Sequence, residues 1–290
     1  MALDSMQEIF ERIKAEQIPF WRVVLETDMD ERQVTEEESL ERMRATWHAM
    51  LESVESYDGT RRSVSGLVGG DGARMRAYAA GHETLSGAYL QEVIATALSV
   101  GESNACMRKI VAAPTAGACG VLPAVLVPLY HGGKASEEEI LRALYVASGI
   151  GAVISFRACI AGAAGGCQAE IGSASAMAAG ALVALRGGDG AQIGHAAAMT
   201  LKNLMGLVCD PVAGLVEVPC VKRNVVGAMN AVSCAEMALA GIESRIPVDE
   251  VIDCMGDVGS RIPMELRETA LGGLAATPAG LRVKGRMKHN

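Results

Sequence analysis

A chain of 290 residues, half of them hydrophobic, can bury a large core in one domain or two modest ones. Its net charge of −8 argues against a nucleic-acid or anionic-membrane surface. Aromatic residues make up only 3% while alanine and glycine abound, which predicts closely packed helices rather than a sandwich of bulky strands.

Residues 5–57 read as helical. Ile9, Ile13 and the apolar run Trp21 to Leu25 recur on helical spacing, and Pro19 divides two segments. Thr35 followed by Glu38 fits a capping box opening a charged helix that reaches about Tyr57. Residues 58–84 are broken by Gly66, Gly69, Gly70, Gly72 and Gly81 and read as a loop followed by a short helix. That loop is either a connector or the backbone wall of a pocket. From Leu85 onward helix succeeds helix, with candidates at 85–108, 118–131, 136–157, 170–186, 190–206, 221–243 and 248–258. No segment alternates with the period of a half-buried strand. The basic tail from Arg282 to Asn290 is expected to fray. No linker splits the chain. The expectation is all-α: one compact multi-helix domain over 1–290 with Gly-rich interhelical turns, residues 1–60 being its helical N-terminal extension.

The first residues are amphipathic and charged and lack the basic-then-apolar layout of an export signal, so a cytoplasmic location is expected. Between Arg142 and Arg157 lie fourteen uncharged residues, and Ile171 to Leu185 is a similar run. Both fall short of the roughly 18–20 apolar residues that cross a bilayer and read as buried core helices. Eight cysteines in a reducing compartment favour metal or catalytic roles over disulfides. Five of them, Cys106, Cys119, Cys159, Cys234 and Cys254, read as small core residues, although Cys119 lies in a Gly-rich turn.

The other three have polar, Gly- and Pro-rich neighbours: Cys167 in Gly-Gly-Cys-Gln-Ala-Glu-Ile-Gly, Cys209 in Val-Cys-Asp-Pro-Val-Ala-Gly, and Cys220 in Val-Pro-Cys. They are separated by 42 and 11 residues with no Cys-x-x-Cys pair, so neither a ferredoxin nor a zinc-ribbon pattern applies. Context says more than spacing. Pro211 suits the first turn of a helix, and Cys220 immediately precedes a helical stretch. Free N–H groups and the positive dipole end at such positions favour thiolate. Three thiolates without a fourth partner suggest an open iron or zinc position.

Two further segments could hold a small ligand. In the run from Arg108 to Gly120 a helix breaks at Pro114 and gives way to a small-residue turn. Thr115 offers a hydroxyl, Gly117 and Gly120 allow close approach, and the next helix start could hold a carboxylate. An ordinary interhelical turn has the same composition. In Lys222-Arg223-Asn224, Arg223 could clamp a carboxylate and Asn224 could accept from an ammonium group. A charged helix face is the alternative. His195, in an Ala-rich helix, is equally readable as a core or a functional histidine.

Four segments carry a resemblance: Ala113 to Pro123, Gly166 to Gly172, Cys209 to Cys220, and Thr269 to Ala275. Together they closely resemble the alpha subunit of bacterial iron–sulfur L-serine dehydratases, a likeness that extends from about residue 20 to 282. The resemblance implies a mainly helical fold that turns L-serine into pyruvate and ammonia without pyridoxal phosphate. It implies a [4Fe–4S] cluster held by Cys167, Cys209 and Cys220. The substrate-binding candidates are then Thr115, Gly117, Arg223 and Asn224. The general base is either a partner residue or one of two local candidates, Lys109 and His195.

Single-chain members carry a further N-terminal region that two-chain members place on a separate beta chain. The sequence lacks it, so a beta-chain partner and a hetero-oligomer are expected. Some members end in a cysteine that reaches the cluster, whereas here the last residues are Met287-Lys288-His289-Asn290, and no tail thiolate is expected on the open iron. A cysteine desulfidase would use the same elimination logic, and a non-catalytic iron–sulfur subunit would use the same ligands.

Overall fold

The structure, a computed structural model, describes residues 3–287. Among them run thirteen α-helices: α1 (Met6–Glu16), α2 (Phe20–Arg32), α3 (Glu36–Glu55), α4 (Asp71–Gly81), α5 (Gly87–Ala105), α6 (Val121–His131), α7 (Glu137–Arg157), α8 (Gly162–Gly165), α9 (Ser173–Leu185), α10 (Gly190–Leu204), α11 (Cys220–Leu239), α12 (Val248–Arg261) and α13 (Pro278–Met287). No strand forms among the described residues, and one isolated parallel bridge pairs Cys209 with Arg267. The all-α expectation holds.

Helix starts obey local chemistry. Thr35 accepts from the Glu38 amide while the Glu38 carboxylate accepts from the Thr35 amide, completing the capping box read from the sequence. Ser136 with Glu139 and Asp189 with Gln192 do the same for α7 and α10. The fold is organised around α9, which is buried from Ser173 to Val183 and enclosed by α6, α7, α10 and α11. A helix apolar on every face belongs in a core. Its small residues admit close neighbours: a Cβ at Gly180 would collide with Ile150 Cδ1 of α7. Helix α7 is long and apolar enough to cross a membrane by length and composition alone, yet most of it is buried against α9, α2 and α3. It is a core helix, as expected. The N-terminal helices join the same apolar cluster through Met6, Ile9, Leu25 and Trp47.

Several expectations need correction. The tail does not fray from Arg282 to Met287: it lies in α13, which buries Gly280 and Val283 against the turns at 212–214 and 273–276. Residues 288–290 of that tail lie outside the described residues. Pro211 opens no α-helix. Cys209 is pinned in an extended strand-like bridge, and the residues after Pro211 form a single 3₁₀ turn with Ala213 in the left-handed region at φ 57°. The segment 118–131 is a 3₁₀ turn leading into α6, and the segment 170–186 opens with a π-helical turn at 168–172. Among the core-read cysteines, Cys119 and Cys234 are buried, but Cys106 and Cys159 are half-buried and Cys254 is exposed on the outer side of α12.

Candidate functional site

Cys167, Cys209 and Cys220 come from three separate segments, and all three are buried. Each is fixed by its own backbone neighbours. Cys167 immediately precedes the π-helical turn leading into α9. The adjacent Gln168 locks that position: its amide nitrogen donates to the Met255 carbonyl at 2.9 Å and its amide oxygen accepts from the Gly206 N–H at 2.7 Å. Cys209 is held on both sides, its N–H donating to Leu266 O at 2.8 Å and its carbonyl accepting from Glu268 N at 2.7 Å. Cys220 is the first residue of α11.

Cys167 and Cys209 lie near enough to perturb each other's titration, and Arg223 acts on Cys167 as well. The neighbouring Cys209 thiol pulls Cys167 below the ordinary thiol range, against burial, with Arg223 helping. The same proximity pushes Cys209 up, and burial adds to it. Burial pushes Cys220 up to about 12. Burial opposes the thiolate at 209 and 220; the helix expected to open at Pro211 is absent, whereas Cys220 does begin α11.

Glu170 lies one turn beyond Cys167, within the π-helical turn, and is absent from the sequence-based candidates. π-Helical turns inside α-helices are frequent at functional sites. Thr115 donates its hydroxyl to Glu170 Oε1 at 2.7 Å. Burial pushes the Glu170 carboxyl up, and the Thr115 hydroxyl opposes that. Glycine makes room here. A Cβ at Gly117 would stand 3.0 Å from Glu170 Oε1; one at Gly162 would stand 2.8 Å from Glu170 Oε2 and 3.1 Å from Cys209 Sγ. The carboxylate and the thiol thus flank a single point above α8.

The pair at the start of α11 braces this site. Arg223 donates to Val208 O at 2.8 Å through Nη1 and to Asp210 Oδ1 at 2.9 Å through Nη2. Asn224 is buried; it accepts from Gly120 N at 2.8 Å and donates to Gly117 O at 2.9 Å and to Cys220 O at 3.0 Å. It ties the Thr115–Gly120 turn to Cys220. Thr115, Gly117, Arg223 and Asn224 are therefore all gathered around the three cysteines.

The family model described as the serine dehydratase alpha chain matches residues 15–275, a span that includes Thr115, Glu170, Arg223, Asn224 and the three cysteines. The chain belongs to that family. It is 45% identical over 283 residues to a probable L-serine dehydratase alpha chain of Bacillus subtilis, covering 98% of this chain and 94% of that one. It is 42% identical over 284 residues to the L-serine dehydratase alpha chain of Peptoniphilus asaccharolyticus, covering 97% of each. The match to L-serine dehydratase 1 of Escherichia coli is 42% over 181 residues, spanning 62% of this chain and only 40% of that longer protein.

Within this serine dehydratase alpha-type fold, the two candidate bases stand apart from the cysteines. Lys109 is exposed and paired with Glu52. His195 lines a different cavity of about 680 Å³, with Phe10, Ile13, Arg245 and Pro247, and its Nδ1 accepts from Ser244 N at 3.4 Å.

Proposed function

We propose that this chain is the alpha chain of an iron–sulfur L-serine dehydratase, converting L-serine to pyruvate and ammonia with a separate beta chain. The observation that carries the reading is three buried cysteines, Cys167, Cys209 and Cys220, drawn from separate segments of a chain of this family, with Cys209 and Glu170 both against Gly162. Among the described residues no three His, Cys, Asp or Glu side chains gather around one point as ligands of a single ion. A structural zinc takes four protein ligands, whereas a cluster spreads its cysteines over different iron atoms. Three buried sulfurs from three segments fit the cluster. Cys167, Cys209 and Cys220 are the residues that would hold it. When bound, such a cluster supplies Lewis acidity at the iron that protein sulfur leaves uncovered, easing departure of the serine hydroxyl.

The chain's own residues have distinct tasks. Glu170, with Oε1 held by Thr115, turns Oε2 toward the substrate space and pairs there with the α-ammonium. Gly117 and Gly162 keep that space open. Arg223 steadies Cys167 and Asp210, and Asn224 fixes the Thr115–Gly120 turn, so both act behind the substrate rather than on it. Loss of the α-proton and of the hydroxyl yields an enamine, which tautomerises and hydrolyses in water to pyruvate and ammonia. We infer one functional domain over 1–290, of which the described residues 3–60 pack as an outer helical layer. Partnership with a beta chain is supported by the alpha-chain names of near-full-length relatives and by the greater length of the Escherichia coli protein.

The test is anaerobic isolation with the beta chain, then iron and acid-labile sulfide analysis and a pyruvate assay with serine, threonine and cysteine. Iron and sulfide in equal amounts with turnover of serine is the expected outcome. Metal-free protein that still deaminates serine would overturn the reading, and preference for cysteine would convert it to a desulfidase.

A further inference from the structure

We propose that Arg267 binds the carboxylate of the amino-acid substrate, as a bidentate anchor beside Cys209; this rests on the serine dehydratase reading above. The backbone bridge sets the position. Cys209 N–H donates to Leu266 O at 2.8 Å and Glu268 N–H donates to Cys209 O at 2.7 Å, which leaves Cys209 and Arg267 directly opposite. Residues paired in this way send their side chains to the same face. The reach of the guanidinium agrees. Its Nη1 donates to the Ala164 carbonyl at 3.4 Å, and Ala164 belongs to α8, whose Gly162 abuts Cys209 Sγ.

The bonding of this guanidinium is incomplete. The contact to Ala164 is its one hydrogen bond among the described residues, and Nε is shut off from solvent with no partner. A buried N–H without an acceptor is rare enough in folded proteins to require an explanation. Nη1 holds the plane, and the Nε–Nη2 edge remains, presenting two parallel N–H donors. That edge matches a carboxylate in geometry and charge.

The neighbouring cations are already committed. Arg223 has Asp210 at 2.9 Å and the Val208 carbonyl at 2.8 Å, and Lys222 has Asp71 at 2.9 Å. Arg267, bridged to Cys209, and Glu170, which shares Gly162 with Cys209 Sγ, would grip both ends of a zwitterion and leave its side chain at the cysteines.

The test uses the anaerobically isolated holoenzyme with its beta chain. Arg267→Gln is expected to retain iron, sulfide and visible absorbance while the serine KM rises about 10- to 100-fold, the range for a lost charged hydrogen bond, with kcat much less affected. Arg267→Lys keeps the charge, loses the fork, and should fall between. An unchanged KM in Arg267→Gln overturns the assignment, and so does loss of iron with a normal KM in the loaded fraction. Wild-type protein that carries cluster but does not act on serine defeats the underlying reading instead. Should Arg267→Gln not fold, competition on the wild-type enzyme decides: L-serinamide, which lacks the carboxylate, should bind at least about tenfold more weakly than L-serine, and equal binding removes the anchor.

Discussion

Thr115 donates its hydroxyl to Glu170 at 2.7 Å across 55 residues of sequence. This contact joins the Pro-Thr-Ala-Gly turn to the π-helical turn just past Cys167. It explains why two separate motifs belong to one site: each supplies half of a hydrogen bond that neither can make alone.

Thr115→Val removes the hydroxyl at nearly constant volume. Glu170 then loses its donor in a place where burial already disfavours charge, so its carboxyl should move further up. A loss of about 1–3 kcal/mol in stability is expected, the usual cost of stripping a buried group of its partner. Serine turnover should fall while iron content stays level. Denaturant titration beside a pyruvate assay checks both.

The three cysteines should behave alike and differently from the rest. Serine at 167, 209 or 220 should abolish visible absorbance, bound iron and turnover. Cys254→Ser should change none of these, since Cys254 is exposed and its sulfur meets the Met205 sulfur at 3.6 Å. Cys119→Ser makes the sharper control. Burial pushes the Cys119 thiol up to about 12, and among the described residues its sulfur has one weak hydrogen-bond partner, the Val100 carbonyl at 3.9 Å. A hydroxyl placed there should lower the melting temperature without removing iron.

Much of the fold and site was legible in the chain. The three cysteines stand out because their neighbours are wrong for a packing role, and the helices arise from apolar spacing and capping residues. Glu170 had a signal of its own: it is the one charged residue between Arg157 and Arg186. A lone acid in so apolar a run must be buried, and burial without function is costly. Arg267 had no such signal. Its place beside Cys209 depends on backbone pairing between segments 58 residues apart, which no local period encodes. Arg223 and Asn224 have the residue types expected near a ligand, but Asp210 and the Gly117–Gly120 backbone decide where they point. The helix expected to open at Pro211 is absent because Cys209 is held in a bridge to a distant segment and the chain beyond Pro211 makes one 3₁₀ turn.

Alkaline stability should depend on Tyr57. Its hydroxyl donates to the buried Glu102 at 2.5 Å, and Glu102 also accepts the Asp71 amide at 2.7 Å at the start of α4. Burial, then the bond to Glu102, pushes the Tyr57 phenol above its ordinary value. A group raised in the folded state contributes fully below its unfolded pKa, here about 10, and loses that contribution as pH climbs toward the folded value. The wild-type melting temperature should therefore drop more steeply above about pH 10 than that of Tyr57→Phe. At neutral pH the order reverses, with Tyr57→Phe the less stable by about 1 kcal/mol for the lost bond. Parallel slopes in the alkaline range would show that Tyr57 does not carry the effect.

Gly162→Ala tests whether the space above α8 is used. The added Cβ would stand 2.8 Å from Glu170 Oε2 and 3.1 Å from Cys209 Sγ, both too close for the present arrangement. Glu170 is held by Thr115 and Cys209 by the bridge to Arg267, so neither can retreat without breaking a contact. The methyl should displace the thiol, the carboxylate or whatever sits between them, lowering iron content and turnover with helical content intact by circular dichroism. Gly285→Ala is the matched control. Gly285 lies in α13 with open space around its would-be Cβ, so alanine there should stabilise by about 0.5–1 kcal/mol through helix propensity. If Gly162→Ala kept full iron and activity, the point between Glu170 and Cys209 would be ordinary packing space rather than the seat of the chemistry.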